Sequence, residues 1–305
     1  MVVPVKINQI VILLINFSRP HTVLGTIFSI TGLYFLSNDN LTEIFSLNLL
    51  YLIAVLLVTI LGNVYITGLN QISDISIDKI NKPYLPLVSG ELTVKQAELI
   101  AITCFVSSLV FAFIINIYLF LTIAISLLIG SLYSLDPFRL KKYPFLASLS
   151  IITVRGIVVN IGIFLTFTSI LHKSLVLNYQ ILYLTLFISF FTISIALLKD
   201  IPDVMGDKEF KIDTFSILFG KKSTFYFAVG ILITLYILSI IIGFMNNLQS
   251  SLVLISLLHI IILSFIIFKT YQTNYEETSS IKIYYFSIWK IFYIEYLTIP
   301  LAFVL

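Results

Sequence analysis

Apolar stretches of about twenty residues, the length that carries a helix across ~30 Å of hydrocarbon, recur along the chain between short polar or charged breaks. Nine such windows predict nine transmembrane helices: Thr22–Leu36, Leu47–Thr67, Ala97–Ile115, Tyr118–Leu135, Phe145–Phe167, Gln180–Leu198, Thr224–Phe244, Leu252–Phe268 and Tyr284–Val304. The third and fourth are joined by a very short link around Asn116, which predicts an antiparallel helix pair. Ahead of the first window, Ile7–Phe17 is apolar but too short to cross, and Ser18-Arg-Pro-His21 separates it from that window, so it reads as an interfacial helix. The predicted fold class is all-α: a polytopic membrane protein whose nine transmembrane helices form a bundle.

Composition agrees, since 59% of the 305 residues are hydrophobic and only 11% charged, against roughly 25% charged in soluble domains. A water-soluble globular domain is excluded. The single cysteine, Cys104, has no partner for an intrachain disulfide. Met1–Pro4 precedes a sustained apolar pattern with no Ala-x-Ala-like cleavage site and is read as the mature start. A net charge of +3 spread over this length is no nucleic-acid signal. Its distribution says more. Most of the 18 Lys and Arg residues fall in every second loop, around Lys79 to Lys95, Arg139 to Lys142, Lys208 to Lys222 and Lys269 to Lys290, whereas the intervening loops contribute Lys173. The positive-inside rule places the charged loops and the N-terminus on the cytoplasmic side.

Two of those loops open on acidic clusters: Asn70-Gln-Ile-Ser-Asp74-Ile-Ser-Ile-Asp78, and Asp200-Ile-Pro-Asp203-Val-Met-Gly-Asp207. A spacing of four puts Asn70, Asp74 and Asp78 on one helical face, and the second cluster does likewise if its helix continues past Pro202. Like charges stacked in this way repel, so a cation should offset them. Hard carboxylate oxygens suit Mg²⁺, which typically binds through one or two carboxylates together with substrate phosphates. The alternative, solvated loop aspartates or helix caps, explains one cluster better than two at matching span ends. Arg139 and Lys141 read as grips for phosphate oxygens, and Lys142 as a topology signal. Tyr133, at a span end beside them, offers a ring face to a cation. Arg155 lies about ten residues inside a span and is a functional candidate by that position; the competing reading is a structural pair with Glu295. His21, after Pro20, reads as a structural residue rather than a base.

With these residues in view, the chain resembles the UbiA-type membrane prenyltransferases, and within them the homogentisate prenyltransferases. The resemblance rests on Ser18-Arg-Pro-His-Thr22, Gly68 through Gly90 with its Asn-x₃-Asp-x₃-Asp spacing and Asn81-Lys-Pro-Tyr-Leu-Pro-Leu run, Tyr133–Lys141, Lys199–Lys208, and Trp289-Lys-Ile-Phe-Tyr-Ile-Glu-Tyr296. It implies a nine-helix bundle around a central cavity, closed on the cytoplasmic side by helical loops, as a single domain over residues 22–305 behind the N-terminal segment 1–21. It implies that Asn70, Asp74, Asp78, Asp200, Asp203 and Asp207 bind Mg²⁺, with Asp74, Asp78, Asp203 and Tyr133 central to catalysis. Arg139, Lys141 and Lys199 would hold the diphosphate, and Arg155, Arg19 and Asn160 the acceptor; Asn160 stands where similar sequences carry Gln. The implied partners are a prenyl diphosphate, phytyl first, homogentisate, and the bilayer of a plasma or photosynthetic membrane. Geranylgeranyl or solanesyl donors and other phenols are the nearer alternatives, an ion-coupled transporter the distant one.

Overall fold

The computed structural model describes residues 7–38, 48–173, 175, 177–245 and 249–305, with side chains from residue 12 onward. Among these every regular element is helical. Helix α1 (Ile7–Phe17) leads into α2 (Pro20–Leu36), and then come α3 (Leu49–Ser73), the short α4 (Ile75–Asn81), α5 (Val94–Ile115) and α6 (Ile117–Ser134). The second half comprises α7 (Pro144–Leu171), α8 (Tyr179–Asp200), the short α9 (Val204–Glu209), α10 (Lys221–Met245), α11 (Ser250–Gln272) and α12 (Thr278–Val304). Eight of these helices are long and apolar enough to cross a membrane. The predicted first span falls on α2, which at 17 residues is shorter than the others. The chain is an integral membrane protein.

Packing sorts the long helices into two shells. Each of α2, α3, α6, α7, α8 and α12 packs on the next, and α12 closes back on α2, so these helices form a ring. Their inner faces line the central cavity, while α5 lies outside against α3 and α6, and α10 and α11 lie outside against α8 and α12. The expectation of spans surrounding a cavity is therefore refined to an inner ring with three outer helices. Lipid tails are as apolar as leucine, so close backbone approach rather than hydrophobic contrast holds such helices together. Two glycines do this within the ring. A Cβ on Gly32 would stand 1.9 Å from the carbonyl oxygen of Tyr296 on α12, and one on Gly162 would stand 1.9 Å from Thr122 Oγ1 on α6.

Several helices run past the apolar windows that predicted them. Helix α3 continues to Ser73 and α12 begins at Thr278, because polar residues that face the cavity or neighbouring protein need no lipid-compatible side chain. The predicted continuous acidic faces, however, are broken. Asp74 caps α3 with φ −113° and ψ 12° before α4 restarts, and Ile201–Asp203 form a turn between α8 and α9. Proline at 202 removes a backbone donor and cannot continue a helix without strain.

Candidate active site

The ring encloses a cavity of about 980 Å³, at the upper end of ligand-binding volumes. Its polar end is built by the two breaks. Asn70, Asp74, Asp78, Asp200, Asp203 and Asp207 all line it, although they come from sequence segments more than a hundred residues apart. The link between the clusters is Asn81, which did not stand out in the sequence as a site residue. Its Nδ2 donates to the Asp203 carbonyl at 2.9 Å and its Oδ1 accepts from the Gly206 N–H at 3.0 Å, which ties α4 to α9. Gly206 permits this contact, since a Cβ there would lie 2.6 Å from Asn81 Nδ2.

Cations meet the carboxylates one by one. Lys82 Nζ sits 2.5 Å from Asp203 Oδ2 and 3.5 Å from Asp78 Oδ1, spanning both clusters. In sequence it was one more loop lysine. Arg19 reaches Asp78 at 3.7 Å, and Arg139 reaches Asp74 at 3.3 Å while donating to the Ser73 carbonyl at 3.1 Å. Lys141 bonds Asp74 directly and Ser73 Oγ at 2.8 Å. Lys199 pairs with Asp200 at 3.4 Å and donates to the Tyr133 hydroxyl at 2.9 Å, with its ammonium 5.5 Å from the centre of that ring. Tyr133 thus already engages one cation. Both arginines hold a left-handed backbone, φ 55° at Arg19 and φ 36° at Arg139, a conformation uncommon outside glycine and concentrated at functional sites. Lys142 differs from Lys141, as the sequence suggested: its side chain is 40% exposed and pairs with an exposed Asp136.

The electrostatics are under tension. Burial lowers the affinity of Lys141 for its proton, and Asp74 only partly restores it, so its pKa falls to about 8. At Lys82 burial acts in the same direction but is outweighed by Asp203 and Asp78, and its pKa rises. Burial, with Asp203 and Asp200 beside it, pushes Asp207 up to about 8, and burial also raises Asp78 against the pull of Lys82 and Arg19.

These residues suit a hard divalent cation by the chemistry of the donor set. Asp78 Oδ2 is buried without a hydrogen-bond partner, and Asp207 has no ion-pair partner, among the described residues. Among the described residues no three acidic side chains converge closely enough to hold an ion unaided. Such a site takes its remaining ligands from phosphate and water, as Mg²⁺ sites do.

Deeper along the cavity wall, residues Ile152–Val158 of α7 form a π-helical turn that carries Arg155; such turns inside α-helices frequently mark functional sites. The guanidinium lies 4.5 Å over the Trp289 ring and 5.6 Å from Phe292. The alternative pairing with Glu295 is not formed. That carboxylate is buried among Tyr236 at 2.5 Å, His259 at 3.1 Å and Thr298 at 3.2 Å, in a separate network toward the outer helices. Among the described residues no carboxylate lies within ion-pair distance of Arg155, so it presents an uncompensated cation to the cavity. Asn160 is fully buried and is not among the lining residues. Its amide donates to the Gly156 carbonyl at 2.7 Å and accepts from the Tyr296 hydroxyl at 2.7 Å. Arg139 likewise approaches Asp74 without lining the cavity.

The UbiA prenyltransferase family matches residues 25–291. The homogentisate phytyltransferase of Synechocystis sp. is 40% identical over 291 residues, which are 94% of this chain and 94% of that protein. The homogentisate solanesyltransferase of Arabidopsis thaliana is 35% identical over 93% of this chain and 75% of its own length. Among solved structures, a UbiA homolog from Archaeoglobus fulgidus bound to GPP and Mg²⁺ covers 96% of this chain and 99% of its own at a TM-score of 0.65 and 16% identity, which establishes the likeness of fold.

Proposed function

The chain belongs to the UbiA prenyltransferase family, and from that membership we propose that it transfers a phytyl group from its diphosphate to the ring of homogentisate, with loss of the homogentisate carboxylate as CO₂. It is an aromatic prenyltransferase. The observation that carries the acceptor assignment is Arg155, a cation without a carboxylate partner among the described residues, 4.5 Å over the Trp289 ring in the wall of a cavity whose polar end gathers the two acidic clusters and their basic partners. The guanidinium fork matches a carboxylate in a way an ammonium does not. The solanesyltransferase likeness makes the longer donor the second reading, together with geranylgeranyl.

In this reading Asp74, Asp78, Asp203 and Asp207, with Asn70 and Asp200, would hold Mg²⁺, and the basic residues beside them would take the diphosphate. The metal supplies Lewis-acid neutralisation of charge on the leaving group. Lys82, Lys141, Arg139, Lys199 and Arg19 add cationic donors around that charge, and donors fixed before reaction stabilise it without reorganising. The apolar walls exclude water from the allylic cation, and Tyr133 presents a ring face beside it. Arg155 orients the acceptor so that a ring carbon attacks. That carbon gives up one proton, and the side chain takes one as CO₂ departs. The carboxylate clusters sit at span ends, whereas coupling carboxylates of transporters lie at the bilayer midplane on broken helices. We place the site loops and N-terminus on the cytoplasmic side of a plasma or photosynthetic membrane, with residues 1–21 as an interfacial segment ahead of one catalytic domain.

The test incubates membranes holding the protein with homogentisate and labelled phytyl, geranylgeranyl or solanesyl diphosphate. Phytyl transfer should dominate, and Arg155→Lys should raise KM for homogentisate while leaving KM for the donor unchanged. An equal loss of donor affinity would move Arg155 to the diphosphate, and absence of transfer from every donor would refute the reading.

A further inference from the structure

His21 is the one histidine in the cavity wall, and the diphosphate and acceptor machinery described above does not use it. It is the second residue of α2, two positions after Arg19. Its ring is clasped on edge by three aromatics of α12: Trp289 at 5.2 Å, Phe286 at 5.4 Å and Tyr285 at 6.4 Å between centroids. The backbone is pinned as well, since the His21 carbonyl accepts from the Tyr293 hydroxyl at 2.7 Å. Yet neither ring nitrogen has a hydrogen-bond partner among the described residues. The other two histidines differ: His172 bonds the Ser37 carbonyl at 2.7 Å, and His259 bonds Ser239 and Glu295. An imidazole packed among three rings, in the wall of the cavity and with both nitrogens unspent on protein, has them free for a ligand.

Its neighbours say where it stands. Trp289 carries His21 on one contact and Arg155 on another, at 5.2 and 4.5 Å. Arg19, two residues away, touches Asp78 of the diphosphate end. His21 therefore lines the same cavity beside Trp289, which also carries the proposed acceptor group, and two residues from the arginine that reaches the diphosphate end.

We propose that His21 is the general base that removes the ring proton in the transfer reaction. This rests on the prenyl-transfer reading above. The allylic C–O bond breaks with its electron pair leaving on the diphosphate. A ring carbon of the acceptor supplies two π electrons to form the new C–C bond, and that carbon then bears both the prenyl group and its original hydrogen. A neutral His21 nitrogen accepts this hydrogen as a proton, and the C–H electron pair restores the aromatic ring. The imidazolium afterwards releases its proton to water at the polar end of the cavity. Burial and the nearby cations Arg19, Arg155 and Lys82 lower the His21 pKa to about 3, which keeps the ring neutral before the step and leaves it basic enough to take a proton from the far more acidic prenylated ring carbon.

The experiment compares the intact membrane enzyme with His21→Gln, which keeps hydrogen-bonding capacity without the basicity, and with His21→Phe, which keeps a ring in the aromatic clasp if Gln loosens it. Each is given phytyl diphosphate and either ordinary or ring-deuterated homogentisate, with diphosphate release and prenylated product measured separately. The expected result is a loss of product of ~10²-fold or more, the appearance of a primary deuterium isotope effect on product formation, and diphosphate release outrunning product as water captures the cation. Wild-type turnover in either folded variant overturns the proposal. So does a loss in which diphosphate and product fall together without an isotope effect, which would make His21 a wedge between α2 and α12. If both variants fail to fold, the same wedge role is established and the proposal falls. Failure of the wild-type enzyme to prenylate homogentisate would overturn the function reading itself, a result distinct from all of these.

Discussion

Replacing Asn81 by alanine isolates the joint between the two acidic clusters without removing any carboxylate. The substitution deletes both hydrogen bonds that tie α4 to α9, at 2.9 and 3.0 Å, and leaves the buried Gly206 N–H without its partner, while the Asp203 carbonyl keeps the Asp207 N–H at 3.1 Å. An orphaned buried donor costs about 1–3 kcal/mol. The Lys82 bridge from Asp203 to Asp78 survives, so the clusters still meet, but less often. If the whole cost falls on that closure, the productive arrangement is depopulated by about 5- to 150-fold. A metal that binds across both clusters must then supply the closing free energy. The Mg²⁺ concentration for half-maximal transfer should rise by that same factor while the plateau rate at high Mg²⁺ recovers. The assay is radiolabelled prenyl transfer in membranes across a Mg²⁺ titration, wild type beside Asn81→Ala. An unmoved midpoint with a lowered plateau would mean that Asn81 acts on the chemistry. A curve that superimposes on wild type would mean that other contacts join the clusters. Either result refutes the reasoning.

Asp74→Ala and Asp203→Ala should each abolish nearly all transfer, the double variant should be no worse than either, and EDTA should mimic all three; full activity under chelation would dismiss the shared metal site. Arg139→Ala and Lys141→Ala should lower kcat by ~10²–10³-fold, whereas Lys142→Ala, exposed and paired only with an exposed aspartate, should be nearly silent; equal effects at all three would reduce the stretch to a topology signal. Gly32→Ala should lower the melting temperature in detergent, because the new methyl meets a backbone carbonyl that cannot rotate away and overpacking of this kind costs ~1–3 kcal/mol. Gly230→Ala, with nothing within 4 Å of its added methyl, is the control, and identical melting of the two would contradict the close α2–α12 approach.

The bilayer imposes a strong one-dimensional rule, and whatever obeys that rule was readable from the chain. Every backbone group crossing lipid must be bonded within its own segment, so apolar windows such as Gln180–Leu198 announced helices with little ambiguity. Charges rare enough to count, such as the aspartates at 74, 78, 200, 203 and 207, announced the residues that the fold gathers at the polar end of the cavity. The tertiary structure decided what has no one-dimensional signature. Whether an apolar helix faces the cavity or the outside could not be read, because a leucine packed on lipid and one packed on a neighbouring helix satisfy the same solvent requirement; so α5, α10 and α11 looked no different from α6 or α7. Lys82 was chemically equal to Lys79 until folding set it between Asp78 and Asp203. Asn81 became the joint because Gly206, far off in sequence, leaves room for its amide. Arg155 stacks on Trp289 instead of pairing with Glu295, because Tyr236 and His259 claim that carboxylate first. Each is a choice among partners of equal chemistry, and only distance in the folded chain makes that choice.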